Sequence, residues 1–157
     1  MALWREAALL ALYVSIVLLA ELLALPNDYG DTAHQGPSLL GIVWGTAIGL
    51  ALAHWFAFQV AAEWFRGGKA VREDFQRAVA QLAGAGLVAV ATTIPILLFD
   101  SAVEVEAAAF VPALVIAASG FGMGRAAGHS VRWSIVVGVL VLAVGVGVAV
   151  IKALLSH

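Results

Sequence analysis

The sequence predicts an all-α fold: a polytopic transmembrane helical bundle of five spans forming a single domain. Three observations predict it. Hydrophobic residues make up 63% of the 157 residues and charged residues 11%, against about 45–50% and about 25% in an average soluble domain. A globule of ~150 residues buries only about 70% of what its unfolded chain exposes, so this much apolar surface cannot be kept from water. The apolar residues also fall into five runs, each near the ~20 residues that cross a ~30 Å hydrocarbon core. Finally, the few charges are sorted between alternate loops by sign.

The first run spans about 7–25 and stops at the turn-rich cluster Pro26-Asn27-Asp28-Tyr29-Gly30-Asp31. Arg5 and the apolar run imitate a secretory signal, but Glu6, Glu21 and the lack of an A-x-A site favour a retained span. The second run, about 38–64, opens after Pro37 with Ser38 as the expected N-cap. The third covers about 79–99, the fourth about 107–124 and the fifth about 133–155.

Orientation follows from the basic residues. Arg66, Lys69, Arg72 and Arg77 lie between spans two and three, Arg125 and Arg132 between four and five, and Arg5 before span one. The alternate loops hold Asp28, Asp31, Asp100, Glu104 and Glu106, and only Lys152 breaks the rule. The expected topology places the N-terminus in the cytoplasm and the C-terminus outside. The expected location is a cell membrane, and the Ala-, Val-, Leu- and Gly-rich composition points to a bacterial cytoplasmic membrane.

Charge and cysteine content exclude several classes. A net charge of −2 leaves no basic footprint for nucleic acid. The absence of cysteine excludes disulfides, thiolate metal sites and thiol nucleophiles. No Ser-His-Asp or H-E-x-x-H arrangement supports hydrolysis. No enzyme activity and no cofactor is therefore expected.

Small residues indicate how the helices meet. Gly41, Gly45 and Gly49 recur every four residues in span two, with a looser set of Ser134, Gly138, Gly145 and Ala149 in span five. Such faces let backbones approach closely within one chain or between copies. A thin bundle of this size favours a homo-oligomer. His54 lies about 180° from the span-two stripe at 100° per residue. A histidine at this depth should not face lipid. Span two is therefore expected to be covered on both sides and to stand at the centre.

Polar residues inside the spans are the functional candidates. His54, Tyr13 and Ser119 fall roughly 5 Å to the inner side of the membrane centre, Thr92 and Thr93 roughly 5 Å to the outer side, and Glu21 roughly 7 Å outward. Glu63 marks the inner boundary, one turn before Arg66. His54 can exchange a proton near neutral pH. It competes with a plain hydrogen-bonding role toward Tyr13, Ser119 or a backbone carbonyl. Gln59 and Gln81 match in depth and are expected to bond each other. Pro95 frees a carbonyl beside Thr92 and Thr93 and kinks span three.

Other motifs are weaker. Tyr29-Gly30-Asp31 resembles the end of a potassium-channel filter, but Pro26-Asn27-Asp28 precedes it in place of the required residues. Asp28, Asp31 and His34 are a weak candidate divalent-metal site. A solvated acidic loop that concentrates cations is the better account of them. Gly120, Gly122, Gly124 and Gly128 close a span rather than follow a strand, so they do not build a nucleotide loop. Arg125, His129 and Arg132 read as a charge anchor near lipid headgroups.

The expected partners are the bilayer, other copies of the chain, and ions or protons. The expected function is movement of protons or monovalent cations through a homo-oligomeric channel or transporter, with His54 as relay or gate. The alternative is a non-transporting assembly subunit that docks through its glycine faces.

Overall fold

The computed structural model describes residues 2–25, 29, 38–66, 72–99 and 101–155, with the side chains of residues 2, 62, 63, 65, 66, 72–74, 101, 102 and 153 outside that description. The described residues form five helices and no strand: α1 (Ala2–Leu23), α2 (Leu39–Arg66), α3 (Arg72–Leu98), α4 (Ser101–Ala126) and α5 (Val131–Leu155). Each contains a stretch long and apolar enough to cross a membrane: Leu3–Leu23, Leu39–Ala61, Phe75–Leu98, Val103–Ala126 and Val131–Lys152. Each of the five expected spans thus corresponds to a helix long and apolar enough to cross a membrane. Helices α3 and α4 begin earlier than the apolar runs at 79 and 107 imply, because backbone hydrogen bonding continues through polar residues that hydropathy excludes. Glu104 thereby joins the first turn of α4, where the helix dipole favours a carboxylate.

The helix ends follow local chemistry. Ser38 Oγ accepts the Gly41 amide at 3.1 Å, the expected N-cap of α2. Gly128 takes φ +80°. His129 N–H then reaches Gly124 O, and Gly128 N–H reaches Arg125 O. This pair of bonds closes α4 in a Schellman motif that glycine satisfies without strain.

Consecutive helices run in alternating directions, as their cross-contacts show. Gln81 near the start of α3 meets Glu6 near the start of α1, Trp44 of α2 meets Thr93 late in α3, and Lys152 late in α5 meets Glu21 late in α1. One end of the bundle therefore gathers Arg5, Arg77, Arg125 and Arg132, and is termed the basic end. The other gathers Glu21 and Glu104 with Lys152, and is termed the acidic end.

Helix α1, not α2, is the hub. It packs against all four other helices, which form an arc around it in the order α2, α3, α4, α5. One face of α1 (Leu10, Val14, Leu18, Leu22) is buried with Val43, Ala47, Val88 and Ala89 of α2 and α3. Another (Leu19, Ala20) is buried with Ile116 of α4 and Ala149 of α5. The expectation of a central second span fails for a physical reason. Apolar residues surround α1 on every side, so it can be buried on two faces at once, whereas α2 buries a single stripe.

The glycines correct the packing expectation too. A methyl at Gly84 would collide with the Ala7 carbonyl, so the closest crossing joins α3 to α1. A methyl at Gly138 would lie 2.8 Å from Ala117 O, one at Gly124 2.9 Å from Ser134 Cα, and one at Gly145 3.2 Å from Ile116. Gly138 and Gly145 thus sit at tight contacts, the first between α5 and α4. By contrast, nothing lies within 4 Å of a methyl at Gly45 or Gly49, and one at Gly41 meets only Ser38 Oγ. Among the described residues nothing covers the span-two stripe, because the buried residues of α2 (Leu39, Val43, Ala47, Ala51) lie on its opposite face.

Candidate functional site

Two polar pockets lie at opposite ends of α1. The basic-end pocket, about 340 Å³, is lined by Glu6, Leu9, Leu10 and Tyr13 of α1, His54 of α2 and Gln81 of α3. Glu6 lies on the first turns of α1, with its side chain 16% exposed. Gln81 Nε2 donates to Glu6 Oε2 at 2.9 Å, and Arg5 stands 3.8 Å from the other carboxylate oxygen. His54 extends the buried stripe of α2 by two turns from Ala47. Its ring reaches the pocket while its residue stays exposed, so it has access both to the carboxylate side and to the surroundings. The pocket gathers a carboxylate, an imidazole, a phenol and an amide, a set able to hold a proton or a cation.

The acidic-end pocket, about 530 Å³, lies between α2 and α5 over the end of α1, where the arc of helices does not close. Thr46 Oγ1 donates a short hydrogen bond to Glu21 Oε2. Lys152 Nζ stands 3.6 Å from Glu21 Oε1. Gly41 and Gly45 line one wall and Ala24 and Leu25 the floor. Lys152, the one cation that breaks the loop charge rule, is thus the counter-charge of Glu21, the carboxylate at the acidic end of the first span. Between the pockets the bundle is filled by Val14, Leu18, Val43, Ala47 and Val88, all buried.

Of the residues expected to share an ion path, Tyr13 and His54 meet in one pocket. Glu21 belongs to the other. Thr92 is fully buried and its hydroxyl donates to Val88 O at 2.8 Å. Ser119 donates to Val115 O at 2.8 Å. Both hydroxyls are taken by their own helices, the usual recourse of a hydroxyl inside an apolar helix. Thr93 donates to Ala89 O and accepts from Trp44 Nε1, tying α3 to α2 near Pro95. The expected Gln59–Gln81 bond is replaced by Gln81–Glu6, and Gln59 is exposed. The Glu63 side chain and the weak metal candidates Asp28, Asp31 and His34 lie outside the described residues. Among the described residues no cluster of three metal-ligating side chains occurs.

Sequence reasoning missed Glu6, Gln81, Thr46 and Lys152 as site members. A signal existed for one pair. Alternating helices bring the ends of spans one and five together, so Glu21 and Lys152, each near its span's end, were bound to share a level. Beyond α1, Tyr29 is buried at the acidic end. Burial pushes its phenol above the usual 10.0, and the nearby Glu104 carboxylate adds to the effect. Arg125 caps its own helix end through a 2.7 Å bond to His129 O, and His129 stacks edge-on with Trp133 at 6.3 Å.

These features define a class: an all-helical, multi-pass protein with five helices able to span a membrane and two polar pockets set into it. No family model, curated protein or solved structure matches the chain, so its function is argued from its own residues.

Proposed function

We propose that the protein moves protons or monovalent cations across a membrane by a gated path in which His54 is the protonatable relay. The observation that carries this reading is the shared pocket of His54, Tyr13, Glu6 and Gln81 on the inward side of α2. Ionisable groups inside membrane helices are costly and mark pathways, and imidazole alone among unperturbed side chains changes charge between about pH 5 and 8. The apolar layer of Val14, Leu18, Val43 and Val88 serves as the closed gate. Glu21, neutralised by Lys152, does not itself carry the proton.

In the proposed topology the basic end faces the cytoplasm, following the distribution of arginine, and the membrane is a bacterial cytoplasmic one. The C-terminus is then extracytoplasmic, and a reporter fused at His157 reads out there. Proton flux into liposomes holding the purified protein tests the function. The reading expects proton flux that is lost in His54→Ala. Unchanged flux in that variant removes His54 from the path.

One observation favours a second reading, an assembly subunit. The face of α2 carrying Gly45 and Gly49 is uncovered and is flanked by the exposed Ile48, Leu52 and Phe56. Close helix approach across small residues is a common basis of membrane association. Under this reading Gly45→Leu abolishes complex formation while liposome flux is absent from the start.

A further inference from the structure

We propose that the acidic-end groove between α2 and α5 is a binding site for a bilayer phospholipid with a zwitterionic, primary-amine headgroup. The inference does not rest on the transport reading. Depth, charge and shape support it together.

Glu21 and Lys152 each lie within a turn of the end of their membrane-spanning stretch. They therefore sit at headgroup level rather than at the bilayer centre. Their side chains stay 30% and 49% exposed, and their 3.6 Å separation is an ion pair without a short hydrogen bond. The ammonium thus keeps its three donors free for a stronger acceptor. A phosphate would take them, and the lipid's own ammonium would donate to Glu21, whose second oxygen is held in place by Thr46. The exchange replaces one neutral pair by two, so no net charge is left buried. That balance selects the headgroup. An anionic lipid would set a second negative charge beside Glu21, and a quaternary ammonium has no N–H to donate.

The groove also has room for the chain below the headgroup. Gly45 presents bare backbone with nothing within 4 Å of a methyl placed there. A stripe of small residues is not a site in itself, but here it adjoins a charged pair at the depth that a phospholipid headgroup occupies.

The test uses the full chain reconstituted in vesicles of equal parts phosphatidylethanolamine, phosphatidylglycerol and phosphatidylcholine. After extraction, native mass spectrometry reads bound lipid and oligomeric state in the same spectrum. Phosphatidylethanolamine should be retained over the other two by about tenfold, the effect of one charge-assisted hydrogen bond. Glu21→Gln and Lys152→Met should each remove that preference. Gly45→Leu, which fills the groove without touching the charges or the packed core, should remove the bound lipid. Lys152→Met leaves the glycine face intact, so it should lose the preference for phosphatidylethanolamine with no change in oligomer mass. Equal retention of the three lipids, or an unchanged adduct in both Lys152→Met and Gly45→Leu, overturns the proposal.

Discussion

The two ends of α1 solve the same problem differently. At the acidic end a carboxylate is matched by a cation, and the pair stands open to its surroundings. At the basic end Glu6 is more deeply placed, has an exposed Arg5 3.8 Å from one oxygen and a neutral amide donor on the other, and shares its pocket with an imidazole. Of the two pockets, only the basic-end one sets a carboxylate, an imidazole and a phenol around one cavity. The difference teaches where mobile charge can reside in a bundle whose centre is apolar.

The harshest way to break the comparison is to destroy one end. Gly84→Val drives a side chain into the Ala7 backbone and separates α1 from α3, which together frame the basic-end pocket. The expected loss is roughly 3 kcal/mol, at the upper end of overpacking costs, read as a large drop in the thermal midpoint in detergent. The control is Gly45→Ala, where a methyl meets open space. Its midpoint should hold or rise, since alanine is the better helix former.

A smaller effect separates the two carboxylates. Gln81→Leu removes the neutral donor from Glu6 and leaves a largely buried oxygen unmatched, at a cost of about 1–3 kcal/mol. Lys152→Met removes a half-exposed cation and should cost no more than about 1 kcal/mol, the range of exposed ion pairs. Denaturation of the two variants side by side ranks them. The reverse order would mean that the acidic end is the more deeply coupled one.

The smallest effect belongs to Tyr29. Its phenol is raised above 10.0, so the folded state favours the protonated form. The stability it contributes is complete below pH 10 and declines as pH rises through the higher folded value. The chain has two tyrosines. In Tyr13→Phe, tyrosinate absorbance should therefore report Tyr29 alone, with a midpoint above 10.0 while folded and at the ordinary value after denaturation.

The helices were legible because apolar length is a local property that a run of residues announces on its own. The Ser38 cap was legible for the same reason. Tertiary relations were less so. The Gly41/Gly45/Gly49 stripe has the spacing of a packing face, yet the bundle turns it outward, since one helix cannot reveal which of its faces finds a partner. Gly84, with no repeat to mark it, makes the closest crossing. The cost of an imidazole in lipid marks His54 in the sequence and predicts that it is covered; it lines the basic-end pocket, yet its residue stays exposed, because it lies beyond the last buried turn of α2. Glu6 was passed over because a carboxylate near a span's end reads as solvated. Only the neighbouring helix, supplying Gln81, shows that it is held.

In the proposed function, protonation at the His54 pocket, and not the charge of Glu21, governs flux. The most direct measurement compares proton flux in liposomes for His54→Ala and Glu21→Gln, each at matched incorporation. Loss of flux is expected in His54→Ala, with flux near the unmodified level in Glu21→Gln. Flux that survives the first substitution and is lost in the second would contradict the proposal.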